Sequence, residues 1–322
     1  MVTPTKAREA LGWAASDSSG LLSPFTFCRR HEIAGEVVET GPNVRKFKAG
    51  DSAGIGCFVG SCGDCEFCFQ NLECCCPKSV LTYSSIDQDG STTYGGYSDH
   101  IVVRERFVFR IPVSLPLHAA APLLCAGISV YSPMRHLGID RPGLHLGVVG
   151  LGGLGHVAVR FAKAMGMKVT VISSSPWKKK EAIELFGADG FIDSKNDEQT
   201  KTMMGSMDGI IDTVPVAHPL APLLALLKAQ GKLVVVGGSA EDLKVPSMPL
   251  LMGKPAIVGN WCLIDSRGMK ETQEMLYFAA EHNVRAEVEI IPISYVNNAM
   301  ERLAKGDVKY RFVIDVRHLS RN

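Results

Sequence analysis

The chain has 322 residues, 46% hydrophobic and 21% charged, a balance that excludes a disordered or fibrous protein and leaves room for two domains. Lys and Arg total 34 against 33 Asp and Glu, so the formal charge of +1 offers no basic field to nucleic acid or an anionic membrane. The ten cysteines are spread unevenly, with Cys57, Cys62, Cys65, Cys68, Cys74, Cys75 and Cys76 crowded into one short stretch.

The opening stretch carries Lys6, Arg8 and Glu9 and no long apolar core, so it does not have the form of a signal peptide. No run of 18 apolar residues occurs, and a cytoplasmic chain without a membrane span is expected, its thiols reduced. Up to about residue 140 come short apolar runs broken by Gly, Pro, Cys and Asp, such as EIAGEVVET and YSDHIVVRERFVFRIP, which predict an irregular antiparallel β domain. A helical stretch follows from Leu117 to Leu137, ending before Gly138. From Leu144 the strands LHLGVV, KVTVIS, DGIIDT, KLVVVG and PAIVGN alternate with the helical stretches HVAVRFAKAMG, KKKEAIELFG and HPLAPLLALLKAQG, which predicts a parallel sheet with helices on both faces. MKETQEMLYFAAEHN then reads as a helix, and AEVEII, SYVNNAMERLAKGD and RFVIDV close the chain. The expected division is residues 1–115 as a β domain with a cysteine lobe at 62–76, 116–270 as the parallel α/β domain, and 271–322 returning to the first.

Gly150-Leu151-Gly152-Gly153-Leu154-Gly155 follows an apolar strand and opens an amphipathic helix, the context that a dinucleotide fingerprint requires. The first glycine allows the tight turn, the second lets the backbone approach a pyrophosphate, and the third lets helix and strand pack closely. The helix N-terminus supplies oriented N–H groups for the anion. At the end of the second strand, where a carboxylate would hold a ribose 2′-OH, stand Ser173, Ser174 and Ser175, then Lys178, Lys179 and Lys180. Hydroxyls and ammoniums there suit a 2′-phosphate, so NADP(H) is expected rather than NAD(H).

Cys62, Cys65, Cys68 and Cys76 are spaced C-x2-C-x2-C-x7-C, suited to a closed tetrahedral zinc site of four thiolates. Spacing alone does not choose among Cys74, Cys75 and Cys76 for the fourth ligand. A zinc-dependent nucleic-acid module is disfavoured by the net charge and by Asp64 and Glu66 inside the lobe.

Together GLGGLG, the cysteine lobe, HEIAGEVVETG, GGYSDH, APLLCAGISVYSP, GMKETQEM and YRFVIDV resemble the zinc-dependent medium-chain alcohol dehydrogenases, more narrowly the plant cinnamyl alcohol dehydrogenase group, from His31 to about Val316. The resemblance implies a GroES-like antiparallel β domain joined to a Rossmann doubly wound parallel sheet, NADP(H), structural and catalytic zinc, and a homodimer. It implies interconversion of aromatic allylic aldehydes and alcohols in the phenylpropanoid and lignin pathway; related enzymes reduce monoterpenoid aldehydes or alkaloid iminium ions. It makes His31 and Cys125 ligands of the catalytic zinc and Glu32 an alternate ligand. Thr213, Gly237 and the stretch 260–262 match positions along the nicotinamide arm.

The chain departs from this family at one place above all. A segment of the form C-G-x-C-H-[ST]-D, with the first catalytic-zinc cysteine and the hydroxyl that relays the proton, should precede the His-Glu pair. Here SSGLLSPFTFCRR runs directly into HEIAGEVVETG, as though about forty residues were cut out, the mark of an alternatively spliced or mispredicted gene product. The β domain is then truncated, its strand edges lose partners, and alcohol oxidation is expected to fall sharply with zinc nearer one than two per chain. Cys28, three residues before His31, is a possible substitute thiolate. A second departure, the lengthened stretch from Trp261 to Arg267, falls near the expected nicotinamide end and subunit edge.

Overall fold

The structure, a computed structural model, describes residues 12–15, 22–25, 31–253, 255–260 and 268–317. Cys28, Cys262 and the rest of the stretch Trp261–Arg267 therefore lie outside the described residues. The sheet that organises the molecule is parallel and six-stranded, built from His145–Val149, Lys168–Ser173, Gly190–Asp193, Met207–Asp212, Leu227–Val235 and Ala256–Gly259. Taken in chain order as first to sixth, they lie side by side as third, second, first, fourth, fifth, sixth. Strand order thus reverses between His145–Val149 and Met207–Asp212, and the crevice beyond their carboxyl ends is where doubly wound sheets bind ligands.

The first strand is buried at every position, as expected of a central strand covered on both faces. Helix Gly155–Ala164 lies against it, with Phe161 fully buried and packed edge-on to Tyr131 of helix Ala126–His136, ring centroids 5.2 Å apart. Three local readings differ from the structure. The strand Gly190–Asp193 is not expected from the sequence, because GADGFIDS is short and rich in residues poor in strands. The Leu-rich run HPLAPLLALLKAQG is helical only over Ala221–Leu226, and the fifth strand already begins at Leu227, since the continuous apolar run fits either period. The stretch Leu117–Leu137 is two pieces bent by 57°, Leu117–Leu124 and Ala126–His136, with Pro122 in a tight 3₁₀ turn and Cys125 at the break. No single helix among the described residues is long and apolar enough to cross a membrane.

In front of this sheet stands the antiparallel part, Ile33–Glu36, Ser52–Ile55 and Val108–Arg110. Ser52–Ile55 is central, so Ile33–Glu36 is an edge strand with one partner among the described residues. The segments Val288–Pro292 and Arg311–Asp315 pair in parallel as a separate ribbon. That ribbon is joined to the parallel domain through His156, which is fully buried on the helix after the glycine fingerprint. Its Nδ1–H donates to the Gly152 carbonyl at 2.8 Å, and its Nε2 accepts from the Glu287 backbone N–H at 3.1 Å. The ring stacks on Tyr310 with centroids 4.9 Å apart.

Burial pushes the His156 imidazole from its ordinary 6.5 down to about 3. The unfolded chain takes up this proton below about pH 6.5, the folded chain only near pH 3, so the stability tied to neutral His156 is full above pH 6.5 and is lost as pH falls towards 3. Chemical denaturation between pH 7 and pH 4.5 should show wild-type stability falling more steeply than that of His156→Gln; parallel pH profiles would contradict the assignment.

Candidate active site

A cleft of about 2010 Å³ opens where the carboxyl ends of the parallel strands face the antiparallel domain and the ribbon. Its walls include Gly150–Leu154, Ser173–Ser175 with Lys178, the Thr213–Pro215 turn, Gly237, and from the other side Glu32 and Arg311. Sequence-predicted residues from five separate segments thus share one cavity.

Sterics explain the glycines. Gly150 sits at φ +83°, and a Cβ on it would come within 2.9 Å of Thr213 Oγ1. That hydroxyl donates to the Val149 carbonyl at 2.7 Å, fastening the turn to the strand end. A Cβ on Gly155 would stand 2.0 Å from the Gly150 carbonyl oxygen, and one on Gly237 would stand 2.2 Å from the Val214 carbonyl. Gly152 differs: a Cβ there would meet no protein atom within 4 Å and would project into open space, as expected of backbone kept bare for a ligand. The residues present therefore fit a dinucleotide pyrophosphate.

Lys178 reaches over this loop, its Nζ donating to the Leu151 carbonyl at 2.8 Å. Burial pushes its ammonium below the ordinary value, with Glu181 acting in the opposite sense. Lys179 and Lys180 are exposed and do not line the cleft. Ser173 is buried, and its Oγ accepts from the Ser175 backbone N–H at 3.2 Å. Asn260 is buried with its Nδ2 donating to the Ser129 carbonyl at 2.6 Å.

In the cysteine lobe, Cys62, Cys65, Cys68 and Cys76 converge with all four sulfurs within 4.8 Å of one another. Cys62 and Cys76 sulfurs are 3.5 Å apart, Cys62 and Cys68 sulfurs 3.9 Å. A tetrahedral zinc held by four thiolates separates its sulfurs by roughly 3.8 Å, so the set fits zinc. The Lys78 backbone N–H donates to Cys76 Sγ at 3.3 Å, while Cys74 and Cys75 stand outside the quartet. Burial raises the Cys68 thiol, but hydrogen bonds with Ser61 and the Gly63 backbone outweigh it and bring it to about 7. The lobe is fixed to the parallel domain by Glu73, 2% exposed, which pairs with Arg106 at 2.9 Å and stands at the N-terminus of helix Gly268–Glu281.

His31 and Cys125 are brought together as a second donor cluster, and Cys57 joins them. Glu32 is not in it: its carboxylate accepts from the Arg311 guanidinium, and the Arg311 stem lies over Gly153, 2.9 Å from where a Cβ would stand. Sequence reasoning misses Cys57 and Arg311. In the sequence Cys57 is one more member of the cysteine cluster, without a role, and the signal that could single it out is its separation from the regular C-x2-C spacing that follows.

Family models match the chain twice: an alcohol dehydrogenase GroES-like domain over residues 10–113 and a zinc-binding dehydrogenase over residues 153–281. A probable mannitol dehydrogenase of Fragaria ananassa is 54% identical, covering 96% of each chain. That alignment runs over 347 positions, whereas 96% of 322 residues is about 309, so about 38 positions of the relative face a gap here. That total is close to the roughly forty residues expected to be missing before His31. A cinnamyl alcohol dehydrogenase of Sorghum bicolor superposes with a TM-score of 0.92 at 46% identity, covering 97% of this chain and 99% of that one. The cinnamyl alcohol dehydrogenase of Helicobacter pylori complexed with NADP(H) superposes with a TM-score of 0.86 at 32% identity, covering 96% and 98%.

The glycine geometry separates two substitutions. Gly155→Ala should lower stability by more than about 3 kcal/mol, because its clash is with backbone. Gly152→Ala should leave the thermal midpoint unchanged yet weaken binding of a reduced dinucleotide at least ten-fold by fluorescence titration; unchanged binding would show that the loop is not the cofactor seat.

Proposed function

The chain belongs to the zinc-dependent alcohol dehydrogenase family, and on that footing we propose that it is an NADP(H)-dependent oxidoreductase acting between cinnamyl-type allylic aldehydes and alcohols. The observation that carries the cofactor reading is Lys178, anchored over the glycine loop beside three serines, with no carboxylate at the ribose position. The homologous NADP(H) complex supports it, and the sorghum enzyme supports the substrate class. When bound, the nicotinamide supplies or accepts the hydride and zinc supplies Lewis-acid polarisation of the substrate oxygen.

The chain's own residues bind and orient. Gly150–Gly155 present backbone N–H groups to the pyrophosphate, and Arg311 adds a cation at the same loop. Ser173–Ser175 and Lys178 hold the 2′-phosphate. Thr213 and Gly237 shape the wall along the nicotinamide arm, and His31 and Cys125 hold the catalytic metal. Cys62, Cys65, Cys68 and Cys76 hold the structural one. A cytoplasmic homodimer serving phenylpropanoid or lignin chemistry is the physiological form of this reading.

A second reading, a catalytically impaired isoform that retains NADP(H) and structural zinc, is favoured by the gap of about 38 positions. Its physical basis is loss of the hydroxyl relay that carries the alcohol proton to solvent.

Fluorescence titration should give NADPH at least ten-fold tighter binding than NADH. Lys178→Ala should remove most of that preference, a loss of about 1.5–3 kcal/mol for a charge-assisted phosphate contact; tighter binding of NADH would overturn the cofactor assignment. NADPH-dependent reduction of coniferaldehyde should be measurable but slower than in full-length relatives. Intact NADPH binding with no turnover would select the impaired isoform.

A further inference from the structure

Resting on the family reading above, we infer that Cys57 serves as the third protein ligand of the catalytic zinc in this chain, replacing the cysteine of the absent segment. The donor atoms of His31, Cys57 and Cys125 all lie within 4.8 Å of one another. A tetrahedral zinc with one imidazole and two thiolates separates such donors by roughly 3.5–3.8 Å, so movements of about an ångström close the set. Two thiolates balance the charge of a divalent ion, and one histidine with two cysteines and an open position is the donor set of a catalytic rather than a structural zinc.

The backbone fixes each member independently. Cys57 is 5% exposed in the turn between Ser52–Ile55 and Phe58–Gly60. Its carbonyl accepts from the Thr82 backbone N–H at 2.9 Å. Gly56 beside it packs so closely on the next element that a Cβ there would be 3.2 Å from the Leu124 carbonyl, which sets the turn against Cys125. Cys125 occupies the break between the Ala121–Leu124 turn and helix Ala126–His136, its carbonyl accepting from the Ser129 N–H at 3.0 Å and the Ser129 hydroxyl at 2.8 Å. The His31 ring stacks on Tyr83, centroids 5.4 Å apart and planes within 16°. The alternate carboxylate is engaged elsewhere, since Glu32 is held by Arg311. With Cys57 as the third ligand, the zinc content expected of the chain becomes two.

The test uses the full chain, loaded with zinc and passed over a chelating resin, with metal counted by elemental analysis. Wild type should hold two zinc ions per chain, Cys57→Ser and Cys125→Ser one each, and Cys74→Ser two. Unchanged NADPH affinity in Cys57→Ser shows that the fold and the cofactor site stand. Cys57→Asp, which restores a donor of similar size, should regain the second ion, and in cobalt-substituted protein its near-ultraviolet thiolate absorption should be weaker than in wild type. One zinc in wild type, two in Cys57→Ser, or one in Cys57→Asp overturns the inference. Two ions with the Cys57 dependence intact but no NADPH binding or aldehyde reduction would uphold the ligand and defeat the proposed function instead.

Discussion

The contact on which the rest of the site depends is the Arg311–Glu32 ion pair. Its arginine comes from the C-terminal ribbon and rests its stem on Gly153 of the cofactor loop, while its head holds the carboxylate next to His31. Three segments far apart in the chain are thereby set at one distance: the glycine loop, the ribbon and the metal corner. Both partners are largely shielded, so removing either would strand a charge in a poorly solvated place. The same contact also commits Glu32. A carboxylate paired with guanidinium is a poor candidate for a third metal ligand, and the demand passes to thiols.

Seen in that light, the absent segment and the Gly56–Cys57 turn belong to one problem. The resemblance to the family implies a metal-binding cysteine in a stretch expected to be missing before His31. Among the described residues Ile33–Glu36 is an edge strand, with His31 just before it and clustered with Cys57 of a turn packed against Leu124–Cys125. The replacement needs no new backbone, because the turn is held by Thr82 and the helix break by Ser129.

Much of this was legible in the sequence, and the division follows from locality. The glycine fingerprint and the C-x2-C-x2-C spacing are local patterns whose geometry is fixed within a few residues. The alternation of strands and helices predicts the parallel, doubly wound sheet, though not its strand order or all six of its strands. Choosing Cys76 over Cys74 and Cys75 required the fold of the lobe itself, which gathers the Cys76 sulfur with those of Cys62, Cys65 and Cys68 and leaves the Cys74 and Cys75 sulfurs 3.8 Å from each other. Cys57 was invisible because its partners are brought to it by packing of Gly56 on Leu124, and no spacing rule encodes a contact between distant loops. The strand Gly190–Asp193 and the early start of the strand at Leu227 were hidden for a weaker reason: tertiary pairing overrides local composition.

Zinc K-edge X-ray absorption on the zinc-loaded chain reads both metal centres at once. One centre of four thiolates and one of two thiolates and an imidazole, in the same chain, average about three sulfurs per zinc at about 2.3 Å, with an imidazole contribution. An average of four sulfurs and no imidazole, the signature of the lobe alone, would show that His31, Cys57 and Cys125 hold no zinc.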